Sequence, residues 1–423
     1  MLSNYIKPSA LENFLFLLSE AVDLGTGNLA HHQIRTAYIS FEIANKLRLN
    51  RRDVNEITIS SLFHDIGALS VDDNLLDSLK EFKGDDPHCK VGEIILRDFP
   101  FLIKGPIYVR YHHTPYDKLL ELGVEAKYHT GAQIIFLSDY IERQIRKYNI
   151  DCLLYFKGVI LNRVTELLSM GKVNKDIFEA FIEVSQKESF WFNLRSPSVL
   201  QFLLQEGEFL GVKNNVRLSD ILTFIVNVVD IKSNYTIAHS SGVSVASRNI
   251  GIVMGLDVDD VEKLQLAGYL HDIGKIAAPS RILNKKGKLT REEYLIIQRH
   301  PYYTYRLLNA IDELKSFVFA AFHHENEKGT GYPFGLSGKD LDKFSRIVNA
   351  ADLFTALYED RPYRKRMSDK TIKEIFQQRA SEGLMKKSIA KRVINHFGEI
   401  ALAIREEQEK IREWYSSRFG SLL

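Results

Sequence analysis

His271-Asp272-Ile273-Gly274-Lys275 sets an imidazole beside a carboxylate at the end of an amphipathic run. Together, imidazole nitrogen and carboxylate oxygen suit first-row metals such as Fe, Mn, Co, Ni or Zn. The isoleucine is expected to pack inward and the glycine to release the backbone. Five residues alone prove little. They gain weight because other His and Asp residues surround them at spacings that the first half of the chain repeats.

His32 and His64 are 32 positions apart, as are His239 and His271, and each second histidine opens an Asp-Ile-Gly. His88 precedes His112-His113 by 24 positions and His300 precedes His323-His324 by 23. Asp139 follows His112 by 27, and Asp352 follows His323 by 29. Of the 13 histidines, only His31, His129 and His396 fall outside this register, which implies two copies of one domain.

In the second copy the candidate ligands are His239, His271, Asp272, His300, His323, His324 and Asp352. Their counterparts in the first are His32, His64, Asp65, His88, His112, His113 and Asp139. Seven N/O donors exceed the need of one ion but suit two, with Asp272 as the bridge. Two ions ~3.5–4 Å apart can bind a phosphodiester, activate the attacking water and stabilise the leaving oxygen. A single His on an apolar face is more often a hydrogen-bonded core residue. For His300 alone, beside Pro301 at a first helical turn, that reading would be preferred. The full set at repeated spacing favours metal. Adjacent helical residues point ~100° apart, so His323 and His324 need a helix end to converge.

Helical periodicity supplies the elements that position these groups. Ala246, Ile250, Val253 and Met254 share one face, Gly255 ends that run, and Asp257 or Asp259 can cap the next helix. That helix aligns Val261, Leu264, Ala267 and Gly268 with His271, so the imidazole faces inward. Strand signals are sparse, and the fold is expected to be all-α. The boundaries read as 1–150, a helical connection over 151–214 with a packed corner at Phe190-Trp191-Phe192 and Ser196-Pro197-Ser198, and 215–423.

Of the 423 residues 45% are apolar and 26% charged, as in a folded globular protein. A net charge of +2 gives no reason to expect a nucleic-acid polymer as partner. Cys89 and Cys152 are too few for a disulfide framework and fit a reducing compartment. No apolar run reaches the ~18–20 residues of a membrane span, and Glu12, Glu20 and Asp23 interrupt any signal-like segment. The expectation is a cytoplasmic protein.

Residues 215–400 resemble the HD-GYP group within the HD superfamily of metal-dependent phosphohydrolases. The resemblance rests on Tyr235-Thr236 before His239-Ser240, His271-Asp272-Ile273-Gly274-Lys275, His300-Pro301 and His323-His324-Glu325. It continues through Gly329-Thr330-Gly331-Tyr332-Pro333-Phe334-Gly335, Asp352 and Arg361-Pro362-Tyr363-Arg364. It implies two tandem helical HD domains and hydrolysis of a bacterial cyclic dinucleotide, cyclic di-GMP or cyclic GMP-AMP. Two divalent ions (Fe, Mn, Ni or Zn) would be held by the seven ligands of the second copy. Asp272 and Lys275 would be catalytic, with Lys275, Tyr332, Arg361 and Arg364 meeting the substrate. The Gly-Tyr-Pro loop is also where a signalling protein would dock.

Two departures stand out. Tyr235 occupies the place where some members carry a third-metal Glu, which favours two ions, and Lys328 precedes Gly329 where an Asp is common. The first copy keeps all seven ligand types, so it too can be expected to take metal. Ala68 replaces the lysine there, and no Gly-Tyr-Pro loop follows His112-His113. Tyr148 stands where Arg361 would align, with Arg143, Arg146 and Lys147 nearby. That copy reads as a degenerate, metal-holding regulatory partner. The rival functions are phosphohydrolysis of another nucleotide, and cyclic-dinucleotide binding without turnover.

Overall fold

The computed structural model describes residues 6–27, 31–70, 86–99, 102–195, 199, 203, 216–232, 234–285, 287–360 and 365–419. The chain is all-α: among these residues strand-like pairing is limited to isolated bridge positions, Lys328 with Ser337 and a further one at Arg217. It divides into two compact units, residues 1–224 and 225–423.

In the first unit the His32–Lys46 helix packs between Arg51–Leu62 and Ala126–Ile145, burying Ile34, Tyr38, Ile57, Ile134 and Phe136. Asn50 caps Arg51–Leu62 by accepting from Asp53 N at 3.0 Å. The helices Leu153–Ser169, Lys175–Ser185 and Glu188–Asn193, expected as a connection, pack within this unit. Phe190 and Trp191 are buried there, Trp191 donating to Ser185 O at 2.8 Å, while Phe192 is exposed. Ser196-Pro197-Ser198 lies outside the described residues.

In the second unit Asn234–Val253 packs against Val258–Leu270, Lys343–Tyr358 and Phe397–Phe419. Gly255, in the left-handed region at φ 77°, ends the first of these, and Asp257 caps the next by accepting from Asp260 N. The expected helix face is present: Val261, Leu264, Ala267 and Gly268 are buried.

The glycine of each His-Asp-Ile-Gly serves a different purpose from the one expected. Neither Gly67 nor Gly274 has a positive φ. Each lies in a short 3-10 turn (Ile66–Ser70, Ile273–Ala277) pressed against the start of the helix that carries the next histidine. A Cβ on Gly274 would stand 1.9 Å from His300 O and 2.5 Å from Thr304 N; on Gly67 it would stand 2.0 Å from His88 O. Close approach is therefore the requirement, and it brings His300 within reach of Asp272. Thr304 locks the contact, donating to His271 O at 2.9 Å and accepting from Gly274 N at 3.0 Å. Gly274→Ala should push the His300 helix away, costing about 1–3 kcal/mol as overpacking does. Metal analysis and thermal unfolding should show lower metal content and lower stability together. An alanine variant with unchanged metal content would show that the close approach is dispensable.

Candidate metal centre

Four imidazoles of the second unit, those of His239, His271, His300 and His323, are held from behind and aimed inward. Nδ1 of His271 lies 2.7 Å from Gly268 O, Nδ1 of His300 2.7 Å from Ile297 O, and Nδ1 of His323 2.8 Å from Ala320 O. His239, on the Asn234–Val253 helix, rests Nδ1 at 2.9 Å from the Glu359 carboxylate. A tethered Nδ1 fixes the tautomer and leaves Nε2 as donor to a metal.

The inward atoms form two groups that share one carboxylate. Oδ2 of Asp272 lies 3.0 Å from His271 Nε2 and 3.7 Å from His239 Nε2, and His239 Nε2 lies 3.1 Å from Asp352 Oδ1. Oδ1 of Asp272 lies 3.2 Å from His300 Nε2 and 3.7 Å from His323 Nε2, with those two nitrogens 3.1 Å apart. Donors at about 2.0–2.2 Å from a common ion stand roughly 3–3.5 Å from one another. His324 joins His300 and His323 in the second group, and the pair converges because the Asp312–Phe322 turn ends at His323.

The cage is largely buried and short of partners. His239, His271, Asp272, His300 and His323 are buried, and Nε2 of His271 and Oδ1 of Asp272 have no aligned hydrogen-bond partner among the described residues. Such orphaned buried atoms are costly unless a ligand satisfies them, so the donor set fits a pair of divalent ions. Burial opposes the charge on Asp272, but His271 and Lys275 beside it hold the carboxyl well below the usual range. Burial, then the neighbouring His300, pushes His324 down to about 3; burial and His324 likewise depress His323.

Lys275 reaches the cage with Nζ at 2.5 Å from Asp272 Oδ2. Tyr332 stacks on His324, ring centroids 4.7 Å apart. Its loop is hung on buried Glu325, which accepts from Phe334 N, Gly335 N and Leu336 N at 2.7, 3.2 and 3.0 Å. Asn349 holds the same turn by donating to His323 O and Glu325 O. Arg361 and Arg364 lie outside the described residues, as does the side chain of Tyr235.

The first unit gathers all seven of its candidates. His32 Nε2 lies 3.2 Å from His64 Nε2, 3.3 Å from Asp65 Oδ2 and 3.5 Å from Asp139 Oδ1. His88 and His112 each place Nε2 3.7 Å from Asp65 Oδ1, and His113 Nε2 lies 3.5 Å from Asp139 Oδ2. The anchors recur: His64 on Ser61 O, His112 on Val109 O, His113 on Asp86 and His32 on Glu142.

Comparison with known proteins accords with this geometry. Residues 29–144 and 224–384 each match a family profile described as HD domain. The 3'3'-cGAMP-specific phosphodiesterase 1 of Vibrio cholerae is 30% identical over 384 residues, covering 88% of each chain. The chain belongs to the HD-GYP phosphodiesterases. The 3'3'-cGAMP-specific phosphodiesterase 3 of the same organism is 25% identical, covering 84% of this chain and 88% of the other. A cyclic di-GMP phosphodiesterase of Pseudomonas aeruginosa is 39% identical over 147 residues, covering 33% of this chain and 35% of the other. Among solved structures, a cyclic GMP-AMP specific phosphodiesterase of V. cholerae shares the fold, with a TM-score of 0.61 at 20% identity, covering 93% of this chain and 97% of that one.

Sequence reasoning missed the supporting carboxylates of this HD-GYP chain, Glu142, Glu359, Asp86 and Glu325. Glu142, three positions after Asp139 on one helix face, was findable by helical spacing. Glu359 was not, since it sits seven positions after Asp352 and breaks the repeat.

The depressed histidines set a pH dependence. An unfolded histidine titrates near ~6.5, so between about 6.5 and 3 the unfolded chain binds a proton that folded His324 refuses. Stability of the metal-free protein should therefore fall as the pH falls through that window, by up to about 1.4 kcal/mol per pH unit for this group. His324→Gln should flatten the dependence in unfolding measured between pH 6.5 and 4, and identical slopes would exclude the contribution.

Proposed function

We propose that the second unit is the catalytic one and that it opens 3'3'-cyclic GMP-AMP in preference to cyclic di-GMP. The observation behind the substrate choice is coverage. Two relatives that match across both units are named for 3'3'-cGAMP, whereas the cyclic di-GMP phosphodiesterase of P. aeruginosa matches over 33% of this chain. The chain is an enzyme of phosphodiester hydrolysis, and its residues can be given roles in that reaction.

His239, His271, Asp272 and Asp352 would hold one divalent transition-metal ion and His300, His323, His324 and Asp272 the other. A bound pair supplies Lewis-acid polarisation of the phosphodiester and a water of lowered pKa. The chain's own groups do the rest. The tethered imidazoles keep their donors fixed, so little reorganisation accompanies reaction. Tyr332, stacked on His324 at the margin of the cage, offers a ring face to the substrate. The Lys275 ammonium, paired with Asp272, would stabilise charge growing on the phosphoryl oxygens.

In the net reaction a water oxygen bonds to phosphorus, the bond to the 3'-oxygen breaks, and the water's proton is passed on as that oxygen becomes a hydroxyl. The product is a linear dinucleotide carrying a 5'-phosphate, open to slower cleavage to mononucleotides. Both cysteines are free thiols, and among the described residues no helix is long and apolar enough to cross a membrane. A cytoplasmic site of action is the reading that fits the thiols.

Asp272→Asn removes a charge from the carboxylate both groups share, and turnover should drop by 10³-fold or more, on the order of 4 kcal/mol of barrier. Chromatography of products from 3'3'-cGAMP, cyclic di-GMP and linear dinucleotides, on protein loaded anaerobically with Fe or Mn, is the measurement. An active Asn variant would overturn the site. A linear dinucleotide cleaved faster than either cyclic one would overturn the substrate class.

A further inference from the structure

The first cage contains a kind of donor that the second lacks. Cys89 follows His88, whereas Pro301 follows His300. Cys89 is a buried free thiol in the first turn of the Pro87–Arg97 helix, with Sγ 3.5 Å from His88 Nε2 and 3.6 Å from His112 Nδ1. His88, Cys89, His112 and His113 each bring a ligand atom within 4.8 Å of the others. A buried thiol is by itself most often an inert core residue, so its neighbours must decide.

His112 is the deciding neighbour. Its ring is buried, Nδ1 lies 2.7 Å from Val109 O, and Nε2 has no aligned hydrogen-bond partner. With Nδ1 donating to that carbonyl, Nε2 carries a lone pair. Asp65 Oδ1, 3.7 Å from Nε2 of both His112 and His88, is an acceptor as well. The one S–H of Cys89 can serve a single nitrogen, and His88 is nearest. Acceptors therefore face one another with too few protons between them, which is the arrangement a cation resolves. The fixed cations stand elsewhere, Arg143 on Asp139 and Arg35 and Arg146 on Glu142. His113 already has Nδ1 at 2.8 Å from Asp86 and Nε2 accepting from Arg143 at 2.7 Å, so the fourth place falls to Asp65. Donors around a tetrahedral ion with bonds of ~2.0–2.3 Å stand roughly 3.3–3.7 Å apart, as the sulfur and carboxylate distances to His88 do.

We propose that His88 Nε2, Cys89 Sγ, His112 Nε2 and Asp65 Oδ1 hold a thiophilic ion of the zinc class, so that the two domains of this chain take different metals. The thiol gives up its proton on binding. Thiolate favours zinc or cobalt over manganese, which prefers oxygen. Four protein donors also close the shell, leaving no position for a phosphoryl oxygen, and the ion braces the first domain.

The test reads sulfur directly. Cys89 and Cys152 are the chain's two cysteines and both lie in the first unit, so a thiolate signal reports this site whatever the second unit binds. Full-length protein titrated anaerobically with Co(II) should develop the near-ultraviolet thiolate-to-cobalt charge-transfer band. Cys152→Ser should keep that band and Cys89→Ser should lose it. Zinc-edge X-ray absorption of the unmutated chain, loaded with one equivalent of zinc, should show a sulfur neighbour at about 2.3 Å, and this readout needs no variant to fold. Cobalt bound without the band, a band that survives Cys89→Ser, or a zinc shell of nitrogen and oxygen alone would each overturn the proposal. Failure of the second unit to hydrolyse 3'3'-cGAMP would leave these signals unaltered, so the two readings fail separately.

Discussion

The structure depends on a repeated hydrogen bond. The last carbonyls of a helix have no intrahelical donor, and five cage histidines use one, always the carbonyl three residues back. His64, His112, His271, His300 and His323 each set Nδ1 2.7–2.8 Å from such an oxygen. The bond uses a carbonyl at a helix end, and it turns Nε2 away from the helix toward a common centre. A histidine in mid-helix has no free carbonyl to use. His239, inside the Asn234–Val253 helix, is in that position and takes the Glu359 carboxylate instead, while His32, the first residue of its helix, takes Glu142. Helix length and site geometry are thus the same constraint, since moving a helix end by one residue would rotate its imidazole out of the cage.

That constraint explains how much was legible in the sequence. Helix ends are written in local signals such as Gly255 and Asp257, and the histidines sit beside them, so their spacing carried the geometry directly. The doubled register then identified which His and Asp belong together without knowledge of the packing. Supporting residues were less visible because they come from wherever a neighbouring helix passes. Glu142 and Glu359 do the same work from different helical turns, and no repeat could reveal that. The glycine of each motif was found but misread, because its reason, a carbonyl of another helix 1.9–2.0 Å from an added Cβ, exists only in three dimensions. Arg361 and Arg364, read from sequence as phosphate contacts, lie outside the described residues.

The two cages differ in the fixed cations that stand against their carboxylates. In the second unit Lys275 pairs with Asp272, and among the described residues no arginine reaches Asp272 or Asp352. Burial makes that excess of carboxylate expensive, since an uncompensated charge out of water costs several kcal/mol. Metal ions held by the cage donors would compensate it. In the first unit three arginines supply much of that positive charge covalently, and their guanidinium N–H groups are directional where an ion is not.

Directionality is what separates the two solutions chemically. A guanidinium donates along fixed N–H axes and offers no open coordination position, so it can neutralise Asp139 and occupy His113 but cannot polarise a phosphoryl oxygen while activating a water. An ion held by tethered imidazoles can do both, because its remaining positions stay available to substrate. One turn beyond its last aspartate the first cage carries the Arg143 guanidinium and the second carries Ala356, so only the first has a directional cation fixed at that position.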